Sequence, residues 1–309
     1  MNLEIWFGTN EGYIQAALVT TLLAASVQVA LRSGVLSFAG IGFYGVGAYG
    51  AGYLQVTRGW SFAMAALTVV ALTLVLAALL ALLLARLRAL YLAMATIAFV
   101  LLVQIAALSW DGVTGGAIGL FGIPPMLGTG GVAIVVVAAL VLSALTQRSG
   151  AGRRQRLLRE DEVLAGALGI DVRRHHRIAF VHSALLGALA GICQADLLTV
   201  FTPENLGFGV IVSALTALVV GGTWHWAGPF LGACIFAWMP VWLAFAGEWR
   251  ALAEGGLTIV VLIFLPAGLA GVVQLAARRA RRMRRPEDRS AFTSDGAANI
   301  PSDSLEVSR

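Results

Sequence analysis

Residues 62–84 read FAMAALTVVALTLVLAALLALLL, a run without a single charge. A helix that crosses a bilayer needs roughly 20 mostly apolar residues, and this run supplies them. Residues 132–145 repeat the pattern. Over the 309-residue chain 59% of residues are hydrophobic and 12% are charged, about half the charged share of a soluble protein. The two-residue alternation of a membrane β-barrel is missing. The expected fold is therefore all-α and polytopic, with about 8–9 membrane-embedded helices, re-entrant segments included. The expected spans are 12–31, 35–56, 60–84, 89–108, 131–146, 178–200, 206–223, 226–246 and 252–274. Residues 1–276 make a transmembrane domain; 277–309, basic and then polar, make a disordered tail.

Orientation follows the arginines of the short loops. Arg86 and Arg88 place one loop in the cytoplasm. The loop 109–130 has Asp111 and no arginine, so it lies outside. The loop 147–177 carries eight arginines against four acids and lies inside, as does the tail with Arg278, Arg279, Arg281, Arg282, Arg284 and Arg285. These arginines flank spans and sit on lipid headgroups, which leaves no call for a nucleic acid. The first ten residues hold Glu4 and no basic residue, unlike a secretory signal peptide.

Two segments depart from plain span chemistry. In 35–56, Gly40, Gly42, Gly45, Gly47, Gly50 and Gly52 recur, and at about 100° per residue they point to every face of a helix. That is either a helix packed tightly on all sides or a broken, re-entrant segment whose backbone lines a cavity. The outside stretch 110–125, WDGVTGGAIGLFGIPP, is too apolar for a solvated loop and too broken for a helix. A segment dipping back into the membrane is expected there.

Chemistry is sparse. All 21 basic residues are arginine, so a Walker A loop, which needs its lysine on the phosphates, is excluded, and any ATP must be bound by another chain. Among His175, His176, His182 and His225 no metal-binding pair stands at the right spacing, and Cys193 and Cys234 read as small core residues. No catalytic residue set, metal or cofactor is expected. His182, Asp196 and Glu254 are the ionisable residues in or beside spans, where a charge is costly enough to be a functional candidate. They form no relay across the membrane. Packing or interfacial roles compete for each.

The segment 154–174, RQRLLREDEVLAGALGIDVRR, answers the missing engine. Leu157, Leu164 and Leu168 fall within about 60° on a helical wheel, charges of both signs surround them, and Gly169 can end the helix. Lipid-surface helices are mostly basic, so the mixed charge points to a protein partner on the cytoplasmic face.

These residues resemble permease subunits of ATP-binding-cassette (ABC) importers for branched-chain amino acids, LivM-like members in particular. Leu36-Ser37 with 43–49, FYGVGAY, resembles the family's LS…FFGIGAY. YLAMATIAF at 91–99, continued by Trp110-Asp111 and Thr114-Gly115-Gly116, is similar to YFAMLTLAF…WDxxTGG. REDEVLAGALGI at 159–170 resembles RENELAAEALGI, the coupling helix. Thr202-Pro203-Glu204, Gly221-Gly222 and 228–233, GPFLGA, are similar to SPE…GG…GPxxGA. The resemblance implies a multi-pass subunit of a bacterial inner membrane that pairs with a LivH-like permease or a second copy. It also implies two LivG/LivF-like ATPase subunits and an extracytoplasmic binding protein. Arg159, Glu160, Glu162, Leu164 and Gly169 would dock the ATPase. Gly40, Gly45, Gly47, Thr114, Gly115 and Gly116 would lie near the substrate path. Where the family often has His or Gln this chain has Gly40, and Trp224, His225 and Trp226 fill a place commonly smaller. The cargo would be a branched-chain or related amino acid, a short amide or urea. The rival readings are an ion-coupled secondary carrier of a small neutral solute and an assembly subunit without transport.

Overall fold

In a computed structural model of the chain, residues 3–84, 87, 89–223, 225–242 and 255–256 are described. Arg86, Arg88, Trp224, Glu254, nearly all of the expected span 252–274, and the tail lie outside the described residues. The helices described here belong to one unit, Met1–Gly271. They are α1 Leu3–Arg32, α2 Ala39–Val56, α3 Phe62–Leu83, α4 Ala89–Ser109, the short α5 Asp111–Thr114, α6 Gly128–Arg148, α7 Gly150–Glu160, α8 Glu162–Ala167, α9 Val172–Leu198, α10 Phe208–Gly221 and α11 Gly228–Trp242. The fold is all-α and polytopic, as expected.

The helices sort into an inner and an outer set. α1, α2 and α9 form the centre, and α2 against α9 is the most extensive helix contact among the described residues. α3, α4 and α6 sit around them with leucines pointing outward, Leu67 being 73% exposed. An apolar side chain on the outside is stable only where the solvent is lipid, so exposure marks the membrane-facing surface. Among the described residues six helices are long and apolar enough to cross a membrane, and α2 is not one of them. Its glycines and tyrosines lower its hydropathy because it faces protein. Thr21 and Ser26 on α1 are fully buried and return their hydroxyl protons to carbonyls of their own helix, Ala17 at 2.7 Å and Leu23 at 2.7 Å. That keeps each polar group satisfied without water.

Residues 35–56 contain an unbroken helix rather than a broken one. It is walled by neighbours on every side, which is the packed alternative. The stretch 110–125 is also better ordered than a simple dip. α5 leads into a 3-10 turn, Gly116–Ile118. Then β1 Leu120–Phe121 pairs antiparallel with β2 Val200–Phe201, Leu120 opposite Phe201. The helix expected to run to residue 200 therefore stops at Leu198. Thr199 takes a left-handed backbone, φ 56°, and the chain turns into β2.

Asp196, an intramembrane candidate by sequence, closes this end of the molecule. Its carboxylate is 1% exposed. It accepts the backbone N–H of Met126 at 2.8 Å and of Leu127 at 3.1 Å. The negative charge so sits at the positive end of α6. Asp196→Ala strands two part-buried N–H donors, of Met126 and Leu127, which costs about 2 kcal/mol. We expect the thermal unfolding midpoint of the detergent-purified variant to fall clearly below wild type; an unchanged midpoint would deny Asp196 this structural role.

Candidate functional site

The charged segment is two helices, not one. Asp161 breaks it: its backbone is extended, φ −156° and ψ 109°. Its carboxylate accepts the N–H of Val163 at 2.8 Å and of Leu164 at 3.0 Å. An aspartate competes with the helix for backbone donors and is better placed as a cap than inside. α8 ends where sequence placed the stop. Gly169 has φ +81°, its N–H reaches the Gly166 carbonyl at 3.0 Å, and the Ile170 N–H reaches Ala165 at 3.1 Å. That last bond is the long one of a Schellman closure, which needs a residue without Cβ strain at the left-handed position.

The break decides which side chains are anchored and which are free. Leu158 and Ala165 are buried against the body of the protein. Leu164 is 52% exposed, Leu168 63% and Val163 83%. Glu160, Glu162 and Gly169 are exposed too, and Arg159 is half-buried. The anchor is the α1–α2 turn: at Gly34 a Cβ would touch the Leu158 carbonyl at 3.6 Å and Arg159 Cα at 3.7 Å. Glu162 Oε1 also lies 3.7 Å from His176 Nε2 at the start of α9. An apolar tip thus projects from α8, which is held to the start of α9, while the α7 that precedes it is held by the α1–α2 turn.

The glycines assigned to the substrate path lie in helix contacts. A Cβ on Gly47 would overlap the Ala188 carbonyl on α9. One on Gly40 would meet Ser26 of α1 and the Ser183 carbonyl of α9, and one on Gly45 would meet Val103 and Leu206. From the other side, Gly187 and Gly191 of α9 abut the carbonyls of Gly40 and Tyr44. This four-residue spacing, Ser183, Gly187, Gly191, is a small-xxx-small stripe of the kind that lets membrane helices touch backbone to backbone. Sequence reading passed over it, although the spacing was there to be seen.

Thr114, Gly115 and Gly116 form one rigid turn. The Thr114 hydroxyl is buried and lies 2.6 Å from the Ala107 carbonyl and 2.8 Å from that of Trp110. Gly115 and Gly116 have φ +75° and +58°, which glycine adopts without steric cost. On the opposite side of α1, Gln28 Nε2 donates to the His225 carbonyl at 2.8 Å and Arg32 Nε to the Thr223 carbonyl at 3.0 Å. Those two side chains hold the link between α10 and α11. Burial, with the Arg32 and Arg148 guanidiniums nearby, keeps the His225 imidazole below its usual pKa.

A close-packed bundle of helices with an apolar outer surface defines a multi-pass membrane protein. The model of a family described as "branched-chain amino acid transport system / permease component" matches residues 11–266, and the chain belongs to that family. It is 33% identical over 143 residues to the high-affinity branched-chain amino acid transport system permease protein BraD of Pseudomonas aeruginosa, 45% of this chain and 46% of that one. It is 30% identical over 142 residues to the corresponding permease protein LivH of Escherichia coli K12, 45% of each chain. With LivM of the same strain it shares 30% over 136 residues, 44% of this chain and 32% of that one. The chain so spans less than half the length of these relatives. No solved structure matches it.

Proposed function

We propose that the chain forms half of the membrane pathway of an ABC importer that brings a branched-chain or related small amino acid into the cytoplasm. The pathway is completed by a LivH-like permease or a second copy. Two ATPase subunits dock on α7 and α8, and an extracytoplasmic binding protein delivers the cargo. The loop 147–177 and the tail face the cytoplasm, in keeping with their arginines. The observation that carries this reading is the exposed tip Val163–Leu164–Leu168 on α8, fastened through its own Ala165 and through Leu158 of the preceding α7. An apolar patch rimmed by charges of both signs suits a protein groove better than lipid or water. Arg159, Glu160, Glu162, Leu164 and Gly169 form or shape that surface. Force on it passes through the Gly34 turn to α1 and α2.

Gly40, Gly45 and Gly47 act on the path at one remove, by letting α2 press on α9, α1 and α4. The Thr114–Gly116 turn braces its outer end. A charge-poor path suits a solute of zero net charge, since no fixed charge would trap it. Glu162→Arg reverses a charge on the docking face and removes the His176 contact. The ATPase is expected to be lost on co-purification while the permease inserts normally; recovery of the ATPase at full yield would refute the docking assignment. Uptake into vesicles should need ATP and ignore an uncoupler. Uncoupler-sensitive uptake without ATP would instead establish the ion-coupled carrier.

A further inference from the structure

A groove of about 680 Å³ runs between α3, α6 and α9, apart from the coupling surface and the α2–α9 seam. Its α9 wall consists of Arg174, Arg177, Ile178, Val181, His182 and Leu185. These residues recur at the three- and four-residue spacing of one helix face. The face that carries Ser183, Gly187 and Gly191 is already used by α2. The groove's polarity is graded along its length. Two guanidiniums stand at its mouth, beside the end of α6 that carries Arg148. Apolar side chains follow toward Leu185, closed in by Ala78 of α3 and Leu142 of α6.

Three properties identify the occupant. From Arg174 to Leu185 the helix rises about 16 Å, close to half of the roughly 30 Å hydrocarbon core, which is one leaflet. The mouth is cationic: Arg174 is exposed, and Arg177 donates only its Nε internally, to the Arg173 carbonyl at 3.3 Å. Within the wall, His182 Nε2 is buried with no hydrogen-bond partner among the described residues. It stands about 7.5 Å deeper along α9 than Arg177, at the depth where an ester carbonyl follows a headgroup phosphate. A buried polar nitrogen facing an apolar groove needs an acceptor or donor from the occupant.

We propose that this groove binds one anionic phospholipid of the leaflet on the arginine-rich side. Its phosphate pairs with Arg174 and Arg177, and an acyl chain lies along Ile178, Val181 and Leu185. As the Nε2–H tautomer, His182 donates to an ester carbonyl. The pairing is charge-assisted, and anionic lipid is the phosphate that a membrane offers at this depth. The assignment requires the bundle to be in lipid but does not depend on what the bundle transports.

The test is native mass spectrometry of the full-length, detergent-purified chain with equal amounts of phosphatidylglycerol and phosphatidylcholine of the same acyl chains. Wild type is expected to retain phosphatidylglycerol on the order of tenfold better, as two juxtamembrane arginines imply. Arg174→Gln with Arg177→Gln should erase that preference. Ala78→Trp with Leu142→Trp, which fills the groove, should lower retention of both lipids. Equal retention of the two lipids by wild type would overturn the proposal. So would a preference that survives loss of both arginines. Displacement of the lipid by inorganic phosphate, with the groove-filling variant unchanged, would reduce the site to a surface anion contact and equally overturn it. Disappearance of a chain dimer rather than of lipid adducts in the tryptophan variant would show the groove to be a protein interface instead.

Discussion

Gly187→Leu is expected to lower the heat resistance of the fold more than Asp196→Ala, Glu162→Arg or Gly209→Ala does. At this position α9 meets α2 backbone to backbone, and a Cβ would overlap the Gly40 carbonyl. A carbonyl cannot rotate away as a side-chain tip can, so the two helices must separate. The separation also loosens Gly191 against Tyr44 and Gly47 against Ala188, because the three contacts lie along one seam. Overpacking typically costs about 1–3 kcal/mol. Here the whole inner contact moves, so a loss at the upper end is expected, on the order of 10 °C in unfolding temperature for a protein of this size. The control is Gly209→Ala on α10, where nothing lies near the added carbon. Size-exclusion profiles after stepwise heating would read both variants. Wild-type heat resistance in Gly187→Leu would mean that the α2–α9 seam is wrongly placed.

Val163→Asp with Leu164→Asp is expected to abolish transport and leave the permease folded. Both side chains are exposed, and their backbone N–H groups stay on the Asp161 carboxylate. New acids in the first turn of α8 favour the helix dipole, so the monomer loses nothing. In a docked complex the two would be apolar anchors, worth about 2 kcal/mol each when truncated. Their loss, about 4 kcal/mol, weakens ATPase binding roughly a thousandfold. Titration of the purified ATPase against the reconstituted permease gives that number directly. Unaltered affinity would place the engine elsewhere on the molecule.

By itself the sequence determined the solvent and the broad architecture. The charge-free run at 62–84 can be stable only in lipid, and the missing lysines exclude a Walker A loop in this chain. The helix stop at Gly169 was equally legible, because a left-handed turn after an apolar helix is a local demand that one residue type meets best. The glycines at 40–52 were visible, but not their meaning. A packed helix and a broken one share the same residues and differ only in whether neighbours fill the space beside each glycine. Tertiary structure decided for packing: Phe99, Val69 and the backbone of α9 stand where cavity would otherwise be. It also decided the break at Asp161, which divides the charged segment into an anchored half and a projecting half. Which leucines are held and which are offered depends on where the body of the protein lies, and that is fixed by contacts with Gly34 and His176, more than a hundred residues before the break and fifteen after it. Local propensity carries no information over such distances. Only the folded chain brings Leu158 inward and leaves Leu164 outside.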